Sequence, residues 1–194
     1  VGREHGELGS KLETGLHAVA ARKTTVRIVS LREEGVLDRY NRTIDQFLER
    51  GIGIDSLDAE GYTPLSLAVR NFDLEMVEAM LLRGANILLI KPPLSEMKAE
   101  KPIAKNILKL LTTEQENRRA AFFQAIKDRD MARIEKSFPF METDAEVDSV
   151  SALGCAAIEG WEEGLEFFLA KGIDIEAVDS KGYTAIQKAV LGNK

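Results

Sequence analysis

Histidine and cysteine are scarce in this chain: His5, His17 and Cys155 are all it has in 194 residues. A single thiol cannot close an intramolecular disulfide, which excludes a disulfide-stapled scaffold and fits a reducing, cytoplasmic setting. Two histidines leave little material for a histidine-based metal centre. Positive charge is not in excess either, since 26 Lys and Arg face 32 Asp and Glu for a net charge of −6. That balance argues against nucleic acid as the main partner. The longest apolar stretch, from Ala85 to Ile90, is broken by Asn86 and falls far short of the roughly 20 residues of a membrane span. The first residues are acidic and glycine-containing and lack an apolar signal core. A sequence that starts at Val1 reads as a trimmed one. Apolar residues at 44% and charged residues at 30% describe an ordinary folded protein, long enough for one large domain or two small ones.

What the chain does have is internal repetition. Asp58-Ala59-Glu60-Gly61-Tyr62-Thr63-Pro64-Leu65 is echoed by Asp179-Ser180-Lys181-Gly182-Tyr183-Thr184-Ala185-Ile186. Gly61 suits a tight turn that needs positive φ. Thr63 is placed to cap a helix whose first residue is Pro64, where a missing N–H costs nothing. Leu65 and Ala68 share one face of that helix. Leu74, Met76, Val77, Met80 and Leu81 form the stripe of a second one, which Gly84 ends. The same register recurs at Ser151 to Gly172, 21 positions like Thr63 to Gly84, and Ser151 lies 33 positions before Thr184.

Helix, turn, helix and extended loop at a period near 33, opening with Thr63-Pro64-Leu65, resembles the ankyrin repeat. The resemblance implies an all-α solenoid of stacked helix-turn-helix units that binds another protein and is not an enzyme. It divides the chain into a tail at 1–13, an irregular unit at 14–57, and units starting near 58, 87, 115, 146 and 179, the last cut short at Lys194. Pro92-Pro93-Leu94 stands for the signature of one degenerate unit, with its second helix beginning at Pro102. Phe122, Ala125 and Ile126 read as the first helix of the next, and Met141 to Val150 as loop. At the front, Thr14-Gly15-Leu16-His17 also resembles the signature. Either 14–35 is a unit and 38–50 an additional helix, or one unit carries a 16-residue insertion. A polar outer face is needed on a terminal unit, so the apolar last helix leads us to expect further chain beyond it.

Most residues that tempt a chemical reading have structural explanations. Cys155 falls on the inner face of a helix. His17 holds the signature histidine position, where the resemblance implies a hydrogen bond tying neighbouring loops. Gly51-Ile52-Gly53 ends a helix and is not a phosphate loop, which would follow a strand. Glu162-Glu163 and the acids from Asp144 to Asp148 lack a second ligand set, and Arg118-Arg119 is flanked by Glu114 and Glu116. No catalytic set, metal site or cofactor is expected.

Family resemblance puts partner contacts at the loop tips and at the end of the first helix. Carried onto this chain, these are Glu60, Tyr62, Arg70 and Asn71 in the clearest unit. In the next clear unit they are Asp148, Val150, Ile158 and Glu159, and in the last Lys181 and Tyr183. The same register would put Glu116 and Asn117 at a loop tip in a degenerate unit. Trp161, in the turn between two helices, reads either as packing or as an exposed anchor. Tyr62 and Tyr183 are expected along one groove, and a monomer is expected. The irregular spacing resembles the ankyrin domains of bacterial effectors, which would act in host cytoplasm. The alternative is the recognition or scaffolding region of a larger enzyme.

Overall fold

The computed structural model describes residues 17–20, 35–97, 100–142, 144–147 and 150–192. The expected tail at 1–13, Thr14 and Asp148 lie outside the described residues. Two compact units divide the chain at Thr112/Thr113.

In the first unit, α1 (Val36–Leu48), α2 (Pro64–Arg70) and α3 (Leu74–Leu82) are followed by α4 (Pro102–Lys127), which runs on into the second unit. Short polar side chains start these helices. Thr63 Oγ1 accepts from the Ser66 N–H at 3.1 Å, with Pro64 in the first turn, and Asp73 Oδ1 accepts from the Met76 N–H at 3.0 Å. Left-handed glycines end them: beyond Gly51 and Gly84, the N–H groups of Ile52 and Ala85 return to the carbonyls of Phe47 and Met80. Leu65, Ala68, Met76, Val77 and Met80 are buried, together with Ile44 of α1 and Ile107 and Leu111 of α4. Each such large side chain contributes about 1.5–3 kcal/mol by leaving water.

Residues 17–20 are helical, and Ala20 and Ile44 belong to one core. α1 packs against α3, a second helix against a second helix, and Gly51 precedes Gly84 by 33 positions in the same left-handed conformation.

The second unit continues with α5 (Met131–Ser137), β1 (Glu146–Val147), β2 (Val150–Ser151), α6 (Ala152–Ile158), α7 (Glu162–Ala170) and α8 (Ala185–Gly192). Its core gathers Phe122, Ile126, Ile134, Leu153, Ala156 and Phe168. Phe138 meets Phe122, Phe167 and Phe168 there, and Phe168 also meets Phe122 and Phe167, at centroid distances between 5.5 and 6.3 Å. Asp130 and Ser151 cap α5 and α6, and beyond Gly172 the Ile173 N–H returns to the Phe168 carbonyl. α8 leaves Ile186, Val190 and Leu191 exposed.

The turn between paired helices repeats closely. The N–H groups of Asp73, Asp130 and Trp161 each bond the carbonyl five residues back, at 3.0 Å. The residue before each is left-handed: Phe72 at φ 58°, Arg129 at φ 54° and Gly160 at φ 59°. Glycine meets that demand freely, whereas a side chain there costs about 1–2 kcal/mol.

Three expectations need correction. The first helix expected at Pro92-Pro93-Leu94 is a single 3-10 turn at Leu94–Glu96, because consecutive prolines and the nearby start of α4 leave no room for more. No loop separates that unit from the next. The polar stretch from Thr112 to Arg119 contains neither glycine nor proline, and an Arg118–Glu114 pair at 2.8 Å joins successive turns. α4 therefore runs through position 115, and Glu116 and Asn117 lie within a helix, not at a loop tip. Lastly, 141–150 is not all loop, since Glu146 faces Ser151 and Val147 faces Val150 across an antiparallel pair.

Candidate functional site

The loop tips are built on aspartates. Asp58 Oδ1 accepts from the N–H groups of Glu60 (2.9 Å) and Tyr62 (2.8 Å), while the Gly61 N–H closes the turn onto the Asp58 carbonyl at 3.0 Å. In the last repeat Asp179 Oδ1 accepts from Lys181 (2.9 Å) and Tyr183 (3.0 Å), and the Gly182 N–H bonds the Asp179 carbonyl at 2.8 Å. Gly61 and Gly182 have φ of 76° and 80°, so each tip is rigid and displays the side chains on either side of its glycine.

A cation lies over each tip tyrosine. Arg70 Cζ is 5.4 Å from the centroid of the Tyr62 ring, and Lys188 Nζ is 5.1 Å from that of Tyr183. Such contacts contribute about 0.5–1 kcal/mol at exposed sites. Lys188 Nζ also pairs with Asp179 Oδ2 at 2.8 Å. Burial pushes the Asp179 carboxyl up, but the hydrogen bonds from Lys188, Tyr183 and Lys181 outweigh it and hold it below the usual carboxylate range.

Neighbouring repeats steady the tips. The His17 Nε2–H donates to the carbonyls of Ser56 (2.9 Å) and Tyr62 (3.1 Å), the loop-tying role implied for it by resemblance. The Asn86 N–H donates to Asp55 Oδ1 at 2.8 Å, and the Ser180 N–H to Glu146 Oε1 at 2.8 Å.

The expected contact residues fall into three groups. Glu60, Arg70, Lys181 and Tyr183 are exposed, and Tyr62 is half-buried. A second group is occupied structurally: Asn71 Nδ2 donates to the Ala20 carbonyl at 3.1 Å, Val150 packs on the second core, and Ile158 touches Gly192. Glu159 is partly exposed, and its carbonyl accepts from the Arg129 guanidinium. Trp161 stands alone. It is 6% exposed and folded over Gly164 within the core, so the anchor reading of Trp161 is corrected to packing.

The sequence reading overlooked Lys188 and Phe72. Lys188 could be found as the residue one helical turn beyond Thr184, whose carbonyl its N–H bonds. Phe72 could be found as an aromatic at the turn position that Gly160 occupies later.

Cys155 is buried, and burial pushes its thiol up against a smaller opposing pull from Lys127. Among the described residues no three His, Cys, Asp or Glu side chains cluster as metal ligands, and no helix is long and apolar enough to cross a membrane.

Residues 60–91 match the model of the ankyrin repeat, and residues 153–194 match that of ankyrin repeats in many copies. The chain carries ankyrin repeats in these two stretches. Its fold class is accordingly the all-α repeat solenoid. Ankyrin repeats generally serve as protein–protein interaction modules and are typically non-catalytic. Here the matched stretches contain both tip tyrosines and the cations above them. No curated protein matches the chain.

Proposed function

We propose that this ankyrin-repeat chain binds a partner protein through its loop tips and the adjoining ends of its first helices. The supporting observation is the recurrence of one device at Tyr62 and Tyr183. An aspartate orders the tip, a left-handed glycine turns it, and a cation holds the tyrosine. Rigid amphipathic rings of this kind lose little entropy on binding and are enriched at interfaces. Glu60 stands beside the first tyrosine and Lys181 beside the second, so each tip adds a charged side chain to its ring. The single buried thiol suits a reducing cytoplasm.

The test is affinity capture from lysate with the parent chain and a variant carrying Glu60→Ala, Tyr62→Ala, Arg70→Ala and Tyr183→Ala. Circular dichroism establishes that the variant remains folded. A protein retained by the parent and lost by the variant supports the reading. Equal retention by both overturns it.

A further inference from the structure

Where the degenerate repeat has lost its first helix, an open cleft of ≈ 300 Å³ remains in the first unit. A full helix at 92–100 would pack alongside α2, as first helices of neighbouring repeats do. The 3-10 turn at Leu94–Glu96 is too short to cover that face. The floor is apolar: Val69 from α2, Met97, and Ala104 and Leu108 from α4. The Phe72 ring forms one wall, 39% exposed, on a left-handed residue where glycine would be relaxed. Arg129 shares that conformation at the equivalent turn, so what sets position 72 apart is the exposed aromatic ring.

The rim is cationic. Arg70 and Lys91 line the cleft, and Lys101 Nζ lies 4.9 Å from the centroid of the Phe72 ring. Lys91 reaches back toward the Tyr62 tip, since a β-carbon on Gly61 would stand 3.0 Å from its Nζ. Among the described residues none of these three cations lies within 4.0 Å of a carboxylate, while Arg83, Arg118, Arg119, Arg133 and Lys188 all do. Among the described residues, Glu96 is the one acidic residue lining the cleft. In a chain of net charge −6, three cations with no carboxylate within 4.0 Å among the described residues, beside Glu96, make the rim of this hollow locally positive.

We propose that this cleft receives a peptide segment of the partner that presents a bulky apolar side chain flanked by Asp or Glu. The apolar group takes the place of the absent helix, and the carboxylates meet Arg70, Lys91 and Lys101. This inference rests on the protein-binding reading above and adds to it the chemistry of the ligand. Continuity from Tyr62 through Arg70 and Lys91 makes the cleft an extension of the tip surface.

The experiment is selection from a displayed peptide library with a fixed central Phe or Leu and randomised flanks. It compares the folded parent, the charge-reversed variant R70E/K91E/K101E and the tip variant Y62A/Y183A, with thermal melts to establish that all three fold. The parent is expected to enrich acidic flanks. A selected peptide should bind it at least 10-fold more tightly than the charge-reversed variant, and more weakly as salt rises. In 15N spectra that peptide should shift the amides of Phe72, Ala104 and Leu108. No preference for acidic flanks, or the same preference from the charge-reversed variant, overturns the proposal. Failure of the tip reading looks different: the peptide binds Y62A/Y183A unchanged and still shifts the cleft amides, which supports the cleft proposal alone.

Discussion

Trp161 and Gly164 are a matched pair: the indole lies flat on the glycine, so that a β-carbon at position 164 would stand 2.6 Å from Trp161 Cδ2 and nearer still to Cε3. Backbone atoms of α7 cannot yield, and the ring is enclosed by the core. Gly164→Ala is therefore expected to destabilise the protein by about 1–3 kcal/mol, although alanine is the better helix former. Trp161→Ala should cost about 3–5 kcal/mol, while the double variant should cost less than the sum, because removing the ring removes the clash. Urea melts of the four proteins check this, and strict additivity would contradict the packing assignment.

Gly160 poses the opposite case, with nothing within 4 Å of its virtual β-carbon but φ at 59°. Gly160→Ala should cost about 1–2 kcal/mol through backbone conformation alone. Denaturant melts with an unchanged m-value are the expected result.

Thr63→Ala removes more than a cap. Thr63 Oγ1 also meets Ser66 Oγ at 2.8 Å, and that hydroxyl donates to the Leu89 carbonyl and accepts from the Lys91 N–H, at 3.3 and 3.2 Å. The relay joins one repeat to the loop of the next. A loss of about 1–2 kcal/mol is expected, with faster amide exchange at Lys91, which hydrogen-exchange mass spectrometry of the 87–91 segment would report.

Much of this was legible in the sequence because it depends on local rules. Thr63, Pro64, Gly84, Ser151 and Gly172 act through turn and cap chemistry that is written within a few residues, and so helix ends could be read directly. The loop-tying role of His17 followed from resemblance. The fused helix α4 escaped that reading because register arguments assume a constant period, whereas Thr112 to Arg119 has no glycine or proline to stop a helix. Trp161 was ambiguous because exposure is a tertiary property: nothing near it in sequence reveals that Gly164 provides its seat. The pairings of Arg70 with Tyr62 and of Lys188 with Tyr183 depend on how the tip folds back over its helix.

Asp179 gives the last repeat a defined response to acid. Its carboxyl lies below the usual value of 3.8 in the folded state, so near and below that pH the unfolded chain binds more protons. Its contribution is complete above the unfolded value and is lost as pH falls through the lower folded one. Asp45, held low by the Arg83 guanidinium, titrates in the same sense but is untouched by Asp179→Asn, so the comparison isolates Asp179. The Tm of Asp179→Asn should lie below that of the parent at pH 6, with the gap narrowing below pH 4. A gap that stays constant down to pH 2.5 would contradict the ion pair with Lys188.

The central claim is that a partner is held at the loop tips, and site-specific photo-crosslinking tests it most directly. A photoreactive residue is placed in turn at Tyr62, at Tyr183 and at Leu82, an α3 position that is 75% exposed and outside the tips. The account predicts that Tyr62 and Tyr183 probes trap the same partner protein while the Leu82 probe traps nothing specific. Trapping from Leu82 with silence at both tyrosines would contradict it.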